Sequence, residues 1–318
     1  MKKRLSVFTA YGTALFILTY LSYALPRCLP GDFVTAMYSS SNVSLTQQQE
    51  TRLRAFYSDT QDFKTYLFRV ITLDLGYSHA FLSPIWTLIL ESLPWTLLLL
   101  GGANVISVVV GFLIGVETAW RKGSRIERNT IGSMTVLEGF PEIATGVILL
   151  AVFALHLQWF PSSGAQIAYG EFTMGERLVD IVHHLALPLL TLVMAYIPGN
   201  ALLVRNTMTL VLGEKYILTA KAKGLPNLRV RYGHAARNAL LPLVTRIGLK
   251  IAFMITGALV VETIHSYPGI GTLLFTAIGT RDLPLIRAIV LYSSLMVLMI
   301  NLALEFVYPR IDPRIKDV

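Results

Sequence analysis

Apolar residues gather along this chain into runs separated by short basic stretches, and six of the runs approach the roughly 20 residues a helix needs to cross a bilayer. They predict spans at about 5–25, 93–118, 133–160, 184–204, 240–265 and 284–309, hence an all-α membrane protein with six transmembrane helices. Residues 26–92 form a long outer loop of mixed charge, 93–309 a core of five spans, and 310–318 a basic tail. Within the outer loop, "PIWTLILESLP" at 84–94 reads as a short helix lying at the membrane surface, with Trp86 and Trp95 suited to an interfacial belt. The opening "MKKRLSVFTAYGTALFILTYLSYALPRC" has a basic flank like a signal peptide. Its apolar run is nearer a full span than a signal core, and no small-x-small cleavage site follows, which predicts an uncleaved first span.

Charge fixes the expected orientation. Only 14% of the 318 residues are charged and 54% are hydrophobic, with a mean hydropathy of +0.59; a soluble domain of this size needs more charge on its surface. The net charge of +8 sits in a few places: Lys2 to Arg4, then Arg121, Lys122, Arg125 and Arg128, then Lys215, Lys221, Lys223, Arg229, Arg231 and Arg237, then Arg310, Arg314 and Lys316. Loops after spans three and five hold little beyond Arg177 and Arg281. Basic loops stay on the cytoplasmic side, so both termini are expected there. No aromatic-basic module accompanies the charge, which argues for lipid and against nucleic acid as its partner. The lone Cys28 excludes a disulfide within the chain and a cysteine metal cluster. The sequon Asn42-Val43-Ser44 reads as chance.

Catalytic signatures are missing. The sequence has no G-x-x-x-x-G-K-[ST] phosphate loop, no G-x-S-x-G and no H-E-x-x-H. "PGIGTLL" at 268–274 lacks the third glycine of a dinucleotide fingerprint. His183 and His184 are adjacent, so a helix sends them in different directions; they suit the start of a span better than a metal. The chain is expected not to be an enzyme and to hold no metal or cofactor itself.

One polar interruption stands out. "EKYILTAKAKGL" at 214–225 is rich in helix formers, closes on Gly224 and is stopped by Pro226. A short cytoplasmic helix is expected at about 212–225, with Tyr216, Ile217, Ala220 and Gly224 along one face. It either rests on lipid headgroups or, being fixed to "NALLP" at 238–242 at the head of span five, serves as a lever for a partner.

"YILTAKAKGL" with "RYGHAARNALLP" resembles the coupling-helix region of ABC-importer permeases of the dipeptide/oligopeptide/nickel family. Further resemblances follow in order: "LDLGYS" at 73–78 with "LPWTLLLL", "FPSSG" at 160–164, "HHLALPLLTL" at 183–192, "ALVVETIHSYPGIGTLLFTAIGTRDLPLI" at 258–286 and "NLALEFVYPRIDPRI" at 301–315. Two places depart from the pattern. Leu218-Thr219-Ala220 stands where the motif has a glutamate before paired alanines, and "MTVLEGFPEIATG" replaces a Ser-Ile-Pro-like opening of span three. The resemblance implies a type I importer permease fold in the cytoplasmic (inner) membrane of a prokaryote. Its implied partners are a second homologous permease subunit, two ATP-binding subunits that carry ATP and Mg, and an extracytoplasmic solute-binding protein. It further implies that Tyr216, Thr219, Ala220, Ala222 and Gly224 dock on an ATPase. Glu262 with Tyr267-Pro268-Gly269-Ile270-Gly271 would form the outer gate and loop, where proline and glycines also suit a plain turn. The implied cargo is di- or oligopeptides, with nickel or a metal chelate as the alternative.

Glu138 and Glu142 in span three, and Arg246 and Lys250 in span five, are each four residues apart. Intramembrane charges point to function or to each other: the four residues form either an ion-pair ladder or a pathway wall favouring cationic cargo. A proton-driven secondary transporter would show inverted repeats and broken helices in matching halves, and neither is evident. An intramembrane enzyme would need paired catalytic residues at depth, which are also lacking.

Overall fold

The computed structural model describes residues 2–39, 45–57, 61–167, 172–254 and 258–311. The sequon Asn42-Val43-Ser44 and residues 312–318 of the expected tail lie outside the described residues. Among the described residues the chain is helical, with no strand and one isolated bridge between Tyr77 and Pro84. It divides into two compact units, one built mainly from Met1–Thr96 and Pro268–Leu302, the other mainly from Leu97–Met254 and Val260–Tyr267.

The first unit begins with α1 (Lys2–Ala24), which tightens into a 3-10 turn at Leu25–Cys28. The expected outer loop is itself largely helical: α2 (Phe33–Ser39), α3 (Gln47–Phe56) and α4 (Phe63–Ile71). Thr46 and Gln49 close a capping box on α3, and the Asp62 carboxylate accepts the Thr65 N–H to start α4. Aromatic edges pin α4 to α1. The Phe63 ring lies 5.4 Å from Tyr20 and 5.3 Å from Tyr23, and Ser22 Oγ and the Tyr66 hydroxyl share a 2.8 Å hydrogen bond.

The expected surface helix at 84–94 does not exist as a separate element. It forms the first turns of α5 (Ile85–Trp120), one 36-residue helix with Pro94 inside it. Ile85 and Ile89 are fully buried against Ile270, Leu285 and Ile289, in α12 (Ile270–Thr280) and α13 (Leu283–Ile311). Burial of that face holds the helix through Pro94, whose cost is one backbone hydrogen bond and local crowding. Thr96 Oγ1 accepts the Ile270 N–H at 2.8 Å and so caps α12.

Asp282, fully buried between α12 and α13, accepts from Ser78 Oγ at 2.6 Å, the Ala80 N–H at 2.9 Å and the Leu285 N–H at 3.3 Å. It thus caps α13 and ties down the turn before α5. Asp282→Ala leaves those donors without their acceptor and is expected to cost about 2–4 kcal/mol. Faster amide exchange at Ser78–Phe81 and a lower Tm are the readouts; wild-type behaviour in both would refute the tether.

The second unit is organised on α8 (Met174–Val211), against which α6 (Arg125–Glu138), α7 (Glu142–Leu149) and α10 (Ala236–Met254) all pack. It also holds α9 (Lys215–Ala222), α11 (Leu259–Ile264) and two π-helical segments, Leu150–His156 and Arg229–Ala235. α5 approaches α8 through glycines. A Cβ on Gly111 would lie 2.7 Å from Asn200 Cβ, and one on Gly115 2.6 Å from the Ala201 carbonyl oxygen. The pair forms a small-x-x-x-small seam of the kind that lets membrane helices touch backbone to backbone.

Three described helices are long and apolar enough to cross a membrane: Ile85–Trp120, Met174–Val211 and Leu283–Ala303. A fourth is the pair Arg125–Glu138 and Glu142–His156, if its 92° bend lies within one span. The expected first span coincides with α1. The expected fifth runs over α10, residues 255–257 outside the described residues, and α11.

Candidate functional site

The polar interruption folds as expected in kind and differs in detail. α8 ends at Val211 and α9 spans only Lys215–Ala222, so residues 212–214 are a turn rather than helix. Gly224 has φ +73°, the left-handed conformation that ends a helix and that glycine adopts without strain. The turn therefore accounts for Gly224 on its own.

The face is where expectation and structure part. Ile217 is fully buried and Ala220 nearly so, packed with Val116, Ala119, Val230 and Ala239 of the same unit. Ala220 cannot meet a partner from there; it seats α9 on its own chain. The outward face is Lys215, Leu218, Thr219 and Ala222, with Leu218 59% exposed. Tyr216 is exposed too, yet its hydroxyl accepts from Asn238 Nδ2 at 2.6 Å and ties α9 to α10. Leu218, absent from the expected set, was legible only as the i, i+4 mate of Ala222.

Around α9 several charges are paired with the chain itself. Lys221 Nζ sits 5.3 Å and Arg231 Cζ 4.8 Å from the Trp120 ring centroid, cations over an aromatic face. Glu117 accepts from Arg231 and, at 2.8 Å, from the Tyr232 hydroxyl. Glu127 is buried, accepts the Gly123 N–H at 2.6 Å, and pairs with Arg205 of α8. The Glu117 bonds to Arg231 and Tyr232 and the Glu127–Arg205 pair join residues 78 to 115 positions apart, so no local sequence pattern announces them. Through them and the Ile217–Ala220 face, α9 is bound to the ends of α5, α8 and α10.

The four-membered ladder does not form. Pro141 caps the start of α7 and Gly139 the end of α6, and the chain turns by 92° between them. Proline lacks the N–H an uninterrupted helix would need, and the residue before it avoids the helical region. Glu138 and Glu142 therefore lie on two helices, both exposed. Among the described residues neither makes an ion pair with Arg246 or Lys250. Arg246 instead donates to the Gly199 carbonyl at 2.8 Å, in space that a Cβ on Gly199 would fill, and Lys250 Nζ lies 3.4 Å from the Tyr196 ring centroid.

The expected outer gate is mostly interior. Glu262, Tyr267 and Ile270 are fully buried, and Gly269 and Gly271 are buried as well; Pro268 alone of that set is exposed. The left-handed residue of the turn is Ser266, at φ +48°, rather than either glycine. Gly269 has φ −93° and caps α12. His183 bonds the Trp159 carbonyl at 2.8 Å and His184 lies 3.2 Å from Asp180. Among the described residues no group of three His, Cys, Asp or Glu side chains is arranged to hold a metal ion.

Several long apolar helices, with a short polar helix packed against the ends of α5, α8 and α10, define a multi-pass membrane protein. Residues 107–317 match the family model described as binding-protein-dependent transport system inner membrane component. The chain is 33% identical over 302 residues to the oligopeptide transport system permease protein AppB of Bacillus subtilis, covering 94% of each. It is 30% identical over 318 residues to the dipeptide transport system permease protein DppB of Escherichia coli K12, again covering 94% of each. With the di/tripeptide transport system permease protein DppB of Pseudomonas aeruginosa the identity is 35% over 321 residues, covering 95% of this chain and 94% of that one. The chain belongs to this family of inner membrane transport components, as its motifs suggested, and is a membrane permease component rather than an ATPase subunit.

Proposed function

We propose that the chain is one of two permease subunits in an ATP-driven importer of di- and oligopeptides. Six helices cross the membrane, with both termini in the cytoplasm. A solute-binding protein delivers cargo to the outer side, and two cytoplasmic ATPases, which bind the ATP and Mg, drive alternation between outward- and inward-facing states. Three full-length relatives carry peptide transport in their names, which supports the cargo class.

The observation that carries the reading is the two-sidedness of α9. Its inner face is fixed to α5 and α10, while Leu218, Thr219 and Ala222 face out with nothing over them among the described residues. A helix so mounted passes a push from outside directly to the long helices it is clamped to. In this reading Glu142 and Lys250, which make no ion pair with each other, belong to the pathway wall.

The test is a mild-detergent pull-down of the tagged chain from its native membrane, followed by peptide uptake in reconstituted vesicles. A second permease and phosphate-loop ATPases are expected to co-purify, and uptake is expected to stop when ATP is withheld. A chain that comes down alone and moves peptide on a proton gradient would overturn the importer reading in favour of a secondary carrier.

A further inference from the structure

The short helix α4 has more apolar surface than its own unit covers. Its inner face, Phe63, Tyr66 and Val70, packs on Tyr23 and Leu291. Beside that face, Phe68 is 67% and Ile71 72% exposed, and Leu67 is half-buried. Leu67 and Ile71 at i, i+4, with Phe68 and Ile71 at i, i+3, place all three on one flank. The opposite flank is polar and also exposed: Thr65, Arg69 and Thr72. There Arg69 lies 3.7 Å from Asp74, and Thr72 Oγ1 donates to the Phe68 carbonyl at 3.0 Å.

The height of α4 along α1 decides what the apolar flank meets. The Gln61 carbonyl, just before α4, accepts from the Tyr23 hydroxyl at 2.9 Å, and Tyr66 bonds Ser22 at 2.8 Å. Ser22 and Tyr23 belong to the last turn of α1, which ends at Ala24. Phe63 reaches deeper, its ring 6.2 Å from that of Phe16. Phe16 lies about 12 Å before Ala24 at the rise of an α-helix, and the headgroup layer on each side of a bilayer is only about 5–8 Å thick. With α1 ending at the outer surface, α4 therefore starts at the height of the headgroups and upper acyl chains. Phe16 stays exposed although it meets Phe63, so the apolar surface of α1 continues onto the start of α4.

Charge on α4 suits the same height. Lys64 is exposed and belongs to the apolar flank, i, i+3 from Leu67 and i, i+4 from Phe68. Its methylene stem can lie along that flank while the ammonium reaches a lipid phosphate. An apolar flank edged by a lysine, with polar residues opposite, is the build of a helix lying in the plane of a bilayer surface.

We propose that α4 is such an interfacial helix, with Leu67, Phe68 and Ile71 sunk among the acyl chains of the outer leaflet and Lys64 at the lipid phosphates. The inference rests on α1 crossing the membrane, as read above, and goes beyond it. The segment between α1 and α5 is anchored to the bilayer by a surface of its own.

The test uses nitroxide spin labels on single cysteines, in a chain whose only native cysteine is removed by Cys28→Ser. Phe68→Cys and Ile71→Cys report the apolar flank, Thr65→Cys and Thr72→Cys the polar one, and Ile17→Cys the middle of α1. All five side chains are exposed, so none of the changes disturbs a buried contact. The complex from the native membrane is placed in bilayer nanodiscs of phosphatidylethanolamine and phosphatidylglycerol. Power saturation then compares relaxation by oxygen, which concentrates in hydrocarbon, with relaxation by a water-soluble nickel chelate. The chelate effect is expected to be lost at 68 and 71 with the oxygen effect kept, and to be strong at 65 and 72. Four labels behaving alike, open or shielded, would overturn the proposal. So would labels at 68 and 71 that neither reagent reaches, since protein rather than lipid then covers the flank. The label at 17 separates the two readings: chelate access there sinks the crossing of α1, whereas protection at 17 with access at 68 and 71 sinks the interfacial helix alone.

Discussion

Ala222→Trp is expected to abolish ATP-driven uptake while leaving the protein as stable as wild type. Ala222 faces out beside Leu218 and Thr219, so a large ring there meets only what docks on α9. The intrinsic cost of tryptophan in a helix is about 0.5 kcal/mol, too small to unfold it. Co-purification of the ATPases should fall at least about tenfold, equivalent to about 1.4 kcal/mol of lost docking. Ala220→Asp should lose uptake by a different route. That side chain is packed among Val116, Ala119 and Ala239, and an unpaired carboxylate there costs about 3–5 kcal/mol. Melting measured in detergent separates the two: a large drop for Ala220→Asp, almost none for Ala222→Trp. Should Ala220→Asp melt like wild type, the inner face of α9 has been assigned wrongly. Should Ala222→Trp transport normally, α9 is not the docking element.

Gly115→Ala is expected to destabilise the second unit despite adding a single methyl. The new Cβ would stand 2.6 Å from the Ala201 carbonyl oxygen and 2.7 Å from Val204 Cβ. Neither the backbone nor a β-branched side chain yields easily, so α5 and α8 must separate. Overpacking of this sort costs about 1–3 kcal/mol, and separation would also stretch the buried hydrogen bond from Asn200 Nδ2 to Ser107 Oγ, now 3.2 Å. Gly111→Ala should behave alike, since its Cβ meets Asn200 Cβ at 2.7 Å. Gly132→Ala is the control: within α6 its Cβ meets nothing within 4 Å, and alanine there is expected to be neutral or to gain up to about 1 kcal/mol. Denaturation of the purified protein in mixed micelles gives all three values. Equal stability of Gly115→Ala and Gly132→Ala would mean the seam is not closely packed.

The contrast between α9 and the outer loop shows what the sequence could carry. α9 was legible because its signals are local: helix formers, a terminal glycine, then proline. Which side faces inward was not, since Ile217 with Ala220 and Leu218 with Ala222 are both apolar-small pairs at helical spacing. Only Val116, Val230 and their neighbours, distant in sequence, decide between them. Pro94 and Pro141 make the same point from opposite directions. Both break the backbone ladder locally; tertiary burial carries the helix through the first, while nothing bridges the second and the chain turns. The glycines at 111 and 115 have the right spacing for a helix seam, but spacing alone does not say which helix lies opposite.

The Trp120 arrangement has a use of its own. The chain has four tryptophans, at positions 86, 95, 120 and 159. With the other three changed to phenylalanine, indole emission would arise from one ring overlaid by Lys221 of α9 and by Arg231. Lifting α9 would carry Lys221 away and alter the colour and yield of that emission. The protein thus contains an optical gauge of whether α9 is seated, readable in real time and without any attached dye.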